Sequence, residues 1–358
     1  MINFATLQGL TIPEGVVTQI TDASGRVLWA LSGGKVVLQV EKITSNTYVS
    51  STSYTNEQFI LLNIYPKTAS GGVKVTYGDL TKTIAFTSTG AHQVYFGTYG
   101  GVADSVATPA SGTLTVEGDC VGVCPASYNT GKNTTDYCKC IVDVVEWGNI
   151  EKIGSYMFYN RPSLTTITIP DGVTSIGDSA FYNCTSLTSI IIPGSVTSIG
   201  GDVFKGCTSL TNATILHGVP HISGGMFEGC TSLASVTIPG TVTEIGGEAF
   251  YGTVLGSITL PDSLTSIGNS AFASNKRLTE ITIPKNVTFM SYDIFSSCDA
   301  LTKVVMLSTT PPSTSSSGNM FRNADNLTTI IVPAGCGDIY KTTSKWDSYA
   351  SLIVEASA

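Results

Sequence analysis

The sequence predicts a parallel β-solenoid of about nine strands, preceded by a small antiparallel β-sandwich. Three observations carry that prediction. Phenylalanine recurs at Phe158, Phe181, Phe204, Phe227, Phe250, Phe272, Phe295 and Phe321, in steps of 22 or 23 residues until a last step of 26. Leucine keeps the same spacing at Leu164, Leu187, Leu210, Leu233, Leu255, Leu278, Leu301 and Leu327. Between Lys35 and Glu117, by contrast, apolar and polar residues alternate with period two. A fixed period of roughly 20–29 residues with an L-x-x-I-x-I core marks a leucine-rich-repeat solenoid. Its parallel sheet is joined by short helical, 3₁₀ and extended turns. Such stacks offer broad binding surfaces and seldom a catalytic pocket.

In chain order, residues 1–33 form a leader or attachment segment ending in DASGRVLWALSGG. Residues 34–118 hold VVLQV, FILLNIY, GVKVTYG, KTIAFTS, HQVYFGTY and GTLTVEG. These runs are rich in Val, Ile, Thr, Tyr and Phe, with Gly, Ser, Asn and Pro clusters between them, as short antiparallel strands require. Their number and length suit a β-sandwich of immunoglobulin-like size, without the Cys and Trp of the antibody-type pin. Residues 119–140 are a Cys-containing connector and N-terminal cap, and residues 141–336 are the repeats. IVDVVEWGNIEKIG (Ile141–Gly154) aligns without gaps on LTTITIPDGVTSIG (Leu164–Gly177), with Glu146 in place of the inward Ile169, as a terminal turn allows. Residues 337–358 read as a C-terminal cap, in which Ile339, Tyr340, Trp346 and Tyr349 are expected to cover the open end of the core and close the array.

Within one repeat, Leu164, Ile167 and Ile169 of LTTITIP point inward while Thr166 and Thr168 point out. Pro170, Pro193, Pro239, Pro261, Pro284 and Pro333 end their strands, because proline has no N–H to donate. V-T-S-I-G, as in Val173–Gly177, is a second short extended piece. A-F-x-x-C, as in Ala180–Cys184, is expected to be a helical or 3₁₀ turn whose Phe fills the coil. One coil cannot bury its apolar side alone; nine strands spaced about 4.8 Å apart would make a rod roughly 40 Å long. The pattern slips at Ile215–Gly218, at Met290–Ser291 and at Thr309–Gly318.

Composition narrows the function. Charged residues make up 12% of the 358, net charge is −8 and the pI is near 4.9. That excludes the basic face nucleic acid demands and argues against docking on anionic membranes. Mean hydropathy is +0.23, yet no run of about 18 apolar residues suggests a membrane span. The N-terminus lacks a Lys/Arg leader and an apolar stretch, so the three-part signal-peptide pattern is missing. Export by another route, carriage on a particle such as a phage, and a trimmed chain all fit.

Repeats such as SLTSIIIPGSVTSIGGDVFKGC (Ser186–Cys207) and LTEITIPKNV (Leu278–Val287) resemble the BspA-like, or Treponema pallidum-type, leucine-rich-repeat family over about 141–336. The tail Val332–Ala350 is similar to that family's closing segment. The resemblance implies a curved solenoid on bacterial cell surfaces, adhesin or host-matrix binding, and no catalytic residues. LTIPEGVVTQITDASGRVLWA (Leu10–Ala30) resembles leaders of gut-phage tail or appendage proteins.

Cys184, Cys207, Cys230 and Cys298 share one repeat position, taken by Asn275 in another coil. There leucine-rich repeats place Asn or Cys inside a turn, and buried thiols behave as small hydrophobes. Cys120, Cys124, Cys138 and Cys140 are candidate disulfide cysteines. Free thiols or a zinc site also fit, but C-x-C is tight for zinc and an extracellular connector favours disulfides; Cys336 would be left over. GDSA (Gly177–Ala180) mimics a hydrolase motif but is a repeat position, matched by GGEA and GNSA, and only His92, His217 and His221 exist as bases. No cofactor, phosphate loop or calcium loop is indicated. The candidate binding face is the set of outward strand positions: Thr166, Thr168, Ser189, Ile191, Asn212, Thr214, Ser235, Thr237, Ser257, Thr259, Glu280, Thr282, Lys303 and Val305. Its hydroxyls suit a protein or a glycan; equally, Thr and Ser are tolerated on any exposed parallel sheet. The expected function is non-enzymatic extracellular recognition or adhesion. The alternative is a phage tail or appendage component attached through its first 30 residues. An enzyme would need a site hidden where the β-domain meets the repeats.

Overall fold

The structure is a computed structural model, whose described residues are the strand segments between 19 and 146 together with residues 150–315 and 319–357. Its C-terminal part is a parallel β-solenoid of about nine turns with little helix. Each coil has three sides around a file of phenylalanines. Successive rings from Phe158 to Phe321 stack with centroids 5.1–5.6 Å apart and planes within 13°.

On the first side, strands Ser189–Ile192, Asn212–Ile215 and Ser235–Thr237 form one parallel sheet. Glu280–Ile283, Lys303–Met306, Thr329–Val332 and Ile353–Glu355 form another. The register is one repeat: Ser189 faces Asn212, Asn212 faces Ser235 and Glu280 faces Lys303. On the second side, two-residue strands pair in the same way, from Lys152–Ile153 through Ser198–Ile199 and from His221–Ile222 through Ser313–Thr314. The slip at Ile215–Gly218 coincides with the break between those two ladders. The one at Met290–Ser291 does not interrupt pairing, and Met290 is fully buried.

Threonine suits the flanks of these strands because its hydroxyl finds a carbonyl one coil back. Thr211 Oγ1 donates to Thr188 O at 3.1 Å and Thr265 Oγ1 to Thr243 O at 2.9 Å. These threonines make the strand flanks polar without adding charge.

The third side departs from the sequence expectation. The A-F-x-x-C segments are neither α-helical nor 3₁₀. Residues of positive φ recur in each, as at Ser179 (53°) and Asn183 (54°). This alternation turns every second peptide the same way. Ser179, Phe181 and Asn183 N–H donate to Gly201, Val203 and Lys205 C=O at 2.7–2.9 Å. The bonds run along the solenoid axis from coil to coil, so their dipoles add and leave bare N–H groups at the C-terminal end. There Tyr349 Oη accepts from Met320 N–H at 3.0 Å, and Asn319 Oδ1 accepts from Phe321 N–H at 3.3 Å. Two aromatic side chains of the cap pack on the core. Trp346 and Tyr340 are fully buried and meet edge-on at 5.1 Å, while Ile339 stays exposed. Trp346 Nε1 donates to Pro312 O and Tyr340 Oη to Ser308 O, both at 2.9 Å.

Antiparallel strands precede the coils. One sheet runs in the order 141–146, 35–41, 111–118, 72–77, 80–85. Ile141–Glu146 thus pairs with Lys35–Glu41 instead of entering the parallel stack, which takes up the repeat register at Lys152–Ile153. In a second sheet Glu57–Pro66 pairs with His92–Gly97 and Cys120–Pro125, and the last pairs in parallel with Lys152–Ile153. Gln19–Thr21 pairs with Val27–Ala30; the remainder of the leader lies outside the described residues. So do Cys138 and Cys140, and the side chains of Cys120 and Cys124, and with them the candidate disulfides.

Candidate binding groove on the first side

The first-side ladder is interrupted twice, and at each interruption the core comes partly to the surface. In most paired strands the central inward residue is shielded: Ile190, Ala213, Ile281, Val304 and Ile330 are all 2% exposed or less, while Val236, in a strand paired on one edge, is only partly buried. In the coils of Thr166–Ile169 and Ser257–Leu260 no strand forms. The equivalent residues there, Ile167 and Ile258, are only partly buried, as are Val236 and Ile238. The second interruption follows from a 22-residue step, which removes one residue between Leu233 and Leu255. At the first, the main chains of Thr166–Ile169 and Ser189–Ile192 share no hydrogen bond. The bond between these coils on this side lies one residue earlier, from Thr188 N–H to Thr165 C=O at 3.2 Å.

A groove of about 680 Å³ opens over this first interruption. Its walls are Thr166, Ile167, Thr168 and Ile169 on one side and Ser189, Ile190, Ile191 and Pro193 on the other, with Asp171, Thr214 and Leu216 at its margin. Five of the residues expected to form a binding face, Thr166, Thr168, Ser189, Ile191 and Thr214, converge here. The others do not. Asn212, Ser235, Thr237, Ser257, Thr259 and Thr282 are exposed elsewhere along the array, and Val305 is half-buried. Glu280 and Lys303 form an ion pair with each other across one coil step, an exposed pair of small energetic weight.

Leu216 escaped the sequence reading, although a signal existed: it replaces the strand-ending proline. Leu307 does the same, and the two are 42% and 46% exposed. With Ile191, which is 58% exposed, Leu216 gives the groove an apolar lip beside its hydroxyls.

Elsewhere the thiols, Asn275 and the GDSA segment are engaged in the fold. The thiols of Cys184, Cys207, Cys230 and Cys298 are free and buried, and donate to the carbonyls of Phe158, Phe181, Phe204 and Phe272 at 3.1–3.2 Å. Burial pushes Cys230 and Cys298 up to about 12. Asn275 replaces the thiol in its coil, donating to Phe250 O and Phe272 O at 2.8 and 2.9 Å and accepting from Thr253 Oγ1. In the GDSA segment Ser179 is buried with its N–H in the axial ladder, and Asp178 Oδ1 accepts from Gly201 N–H at 2.8 Å. Among the described residues no group of three or more His, Cys, Asp or Glu is placed to hold a metal ion, and no helix is long and apolar enough to cross a membrane.

Comparison with a family model agrees with this architecture. The model of the BspA type leucine rich repeat region matches residues 130–254 and 221–347, more than half of the chain. No curated protein sequence matches. Among solved structures, a leucine rich cell surface protein of Faecalibacterium prausnitzii is similar at 23% identity over 65% of this chain and 96% of its own, with a TM-score of 0.34. A leucine-rich repeat protein of Eubacterium ventriosum is 30% identical over 35% of this chain and 40% of its own, with a TM-score of 0.31. The T. pallidum leucine rich repeat protein is 21% identical over 55% of this chain and 85% of its own, with a TM-score of 0.34. On the strength of the family model, the chain belongs to the BspA type leucine-rich-repeat family.

Proposed function

We propose that this protein is a non-enzymatic recognition and adhesion protein of the extracellular or cell-surface space, which binds a protein partner through the first side of its solenoid. The observation that carries the reading is the groove between Thr166–Ile169 and Ser189–Ile192. It brings hydroxyls and exposed aliphatic side chains together over partly uncovered core. Exposed apolar surface of this kind, rimmed by polar groups, is what protein interaction sites present. The polar groups elsewhere serve the fold. The thiols and Asn275 hold coil corners, and charged side chains pair with one another, Lys276 with Asp299, Glu280 with Lys303, and Lys205 with both Asp202 and Glu228.

The test is an array of purified matrix proteins and glycans, probed with the intact chain and with an Ile191→Asp/Leu216→Asp double variant. Both substituted side chains are exposed, so the variant is expected to melt with the parent. Specific binding lost in the variant supports the proposal. An array without a ligand at tens of micromolar, or one bound equally by both proteins, would sink it.

A further inference from the structure

We infer that the C-terminal end of the first side is a self-association surface, on which a second copy of this chain packs sheet against sheet as a weak, closed dimer. The inference does not rest on the recognition reading, because the groove lies at the other end of the same side.

The warrant is a change in what the strands show to solvent. In the sheet of Ser189–Ile192, Asn212–Ile215 and Ser235–Thr237, the register aligns Ile191, Thr214 and Thr237 on the outward face. In the sheet that ends the array, the corresponding row is Thr282, Val305, Ile331 and Val354. On its inward face that sheet buries Ile281, Val304, Ile330 and Ile353. Its strands KVVM and TIIV are therefore apolar on both faces, the composition of a parallel sheet covered on both sides. Only the inward side is covered. Val354 is 47% exposed, Leu307 at the end of the KVVM strand is 46% exposed, and Val305 and Ile331 are half-buried.

At a strand spacing of about 4.8 Å and a rise of about 3.3 Å per residue, this face spans roughly 300–400 Å², a size at which an exposed apolar patch is often functional. What fits it is flat, pleated, aliphatic and uncharged. The flanking charges, Glu280 and Lys303, pair with each other, so the face offers no net charge to an acidic or a basic partner. A second copy meets those terms. It brings the same face, the two neutral patches do not repel each other although the chain carries a net charge of −8, and sheets of this kind stack about 10 Å apart. Because one patch serves both copies, a two-fold axis closes the assembly at two. The buried area, about 600–800 Å² in all, is below that of stable dimers, so the association is weak and reversible.

The experiment is sedimentation equilibrium of the intact chain up to about 1 mM, beside Val354→Lys, Leu307→Asp and a control, Tyr251→Lys. Tyr251 is 40% exposed on the third side, so its substitution makes the same change of charge as Val354→Lys away from the patch. All three replace exposed side chains, and each variant is expected to melt with the parent when dilute. The parent and the control are expected to dimerise with a dissociation constant of roughly 100 µM, weakened at least about tenfold in both patch variants. Leu307 follows a strand two places in from that of Val354, so loss in both variants marks the face of the sheet and not its last edge. Four results would overturn the inference: a parent monomeric up to about 1 mM, a dimer that persists in either patch variant, equal loss in Tyr251→Lys, or oligomers that grow beyond two. Recognition through the groove is judged by the array alone, since Val354 and Leu307 do not line it.

Discussion

Leu216 donates its backbone N–H to the carbonyl of Ile192 in the preceding coil at 3.0 Å. Most coils place a proline here, which cannot make that bond. Leu307 repeats the arrangement with Ile283, also at 3.0 Å. Loss of proline thus lengthens the ladder by one rung and leaves an exposed leucine at the strand end. Leu216→Pro removes both the rung and the groove's lip. Its cost is expected to be about 1 kcal/mol, the net value of one hydrogen bond. Leu216→Ala keeps the N–H and should unfold within about 0.5 kcal/mol of the parent, as surface substitutions do. Urea unfolding of the two variants separates the rung from the side chain. Equal stability would show that the rung contributes nothing.

The coil register was legible because phenylalanine and leucine each occupy one inward position per turn. Ser189 does face Asn212, and Glu280 does face Lys303. The groove was not legible, for a physical reason. LTTITIP is among the most regular strand sequences in the chain, but pairing depends on neighbours as well as on the strand itself. Ile141–Glu146, which would have stacked on it, pairs with Lys35–Glu41, so Thr166–Ile169 begins the array without a strand before it. The axial ladder of the third side was hidden too. Its left-handed positions mix Gly, Asn and Asp, as at Asn160 (54°), Asn183 (54°) and Asp202 (55°), which favour positive φ, with Tyr156 (61°), Ser179 (53°) and Glu248 (58°), which give no such signal and break the pattern.

The phenylalanine file supports a second prediction. Phe204 and Phe227 are fully buried, and their rings lie 5.6 Å apart. Phe227→Ala is expected to cost about 3–5 kcal/mol through the cavity it leaves. Because each coil rests only on its neighbours, the damage is local. Urea unfolding should split into two transitions, with the weakened middle coils opening first. A single transition of unchanged midpoint would contradict this.

Asn275 is expected to be the costliest buried polar side chain to remove. It spans two coils by bonding Phe250 O and Phe272 O, and it receives Thr253 Oγ1. Asn275→Ala removes three bonds, but Phe272 O keeps Cys298 Sγ and Phe250 O keeps Thr253 Oγ1, so the cost is expected to be about 1–3 kcal/mol in all. Asn275→Cys should recover part of the loss, since a thiol in the corresponding place of other coils bonds a phenylalanine carbonyl. Recovery by Cys but not by Ala, read in denaturant midpoints, would establish the hydrogen bond as the cause.

The thiols give a prediction in reactivity. Burial holds Cys230 and Cys298 at about 12, so neither forms thiolate near neutral pH, and thiolate is the nucleophile. An aromatic disulfide reagent at pH 8 should leave both unmodified in the folded protein and modify them rapidly in urea, as peptide mapping would record. Labelling of either in the folded protein at the urea rate would refute their burial.

Two glutamates are expected to give opposite pH dependences. Glu355 accepts from Gly335 N–H at 2.9 Å and Gly337 N–H at 2.8 Å, and these bonds lower its pKa. Its folded value lies below the unfolded one. The stability it contributes is present above the unfolded value and disappears as pH falls through the folded one. Glu248 is shifted upward, first by desolvation and then by the nearby Glu228 carboxylate. Its folded state holds the proton more tightly, so ionisation near neutral pH opposes folding and acidification relieves it. Glu355→Gln should therefore lower Tm at pH 7 and converge with the parent in acid. Glu248→Gln should raise Tm at pH 7 and lose that advantage in acid. Thermal melts from pH 3 to 8 would show crossed signs, and parallel curves for the two variants would refute the assignment of these carboxylates.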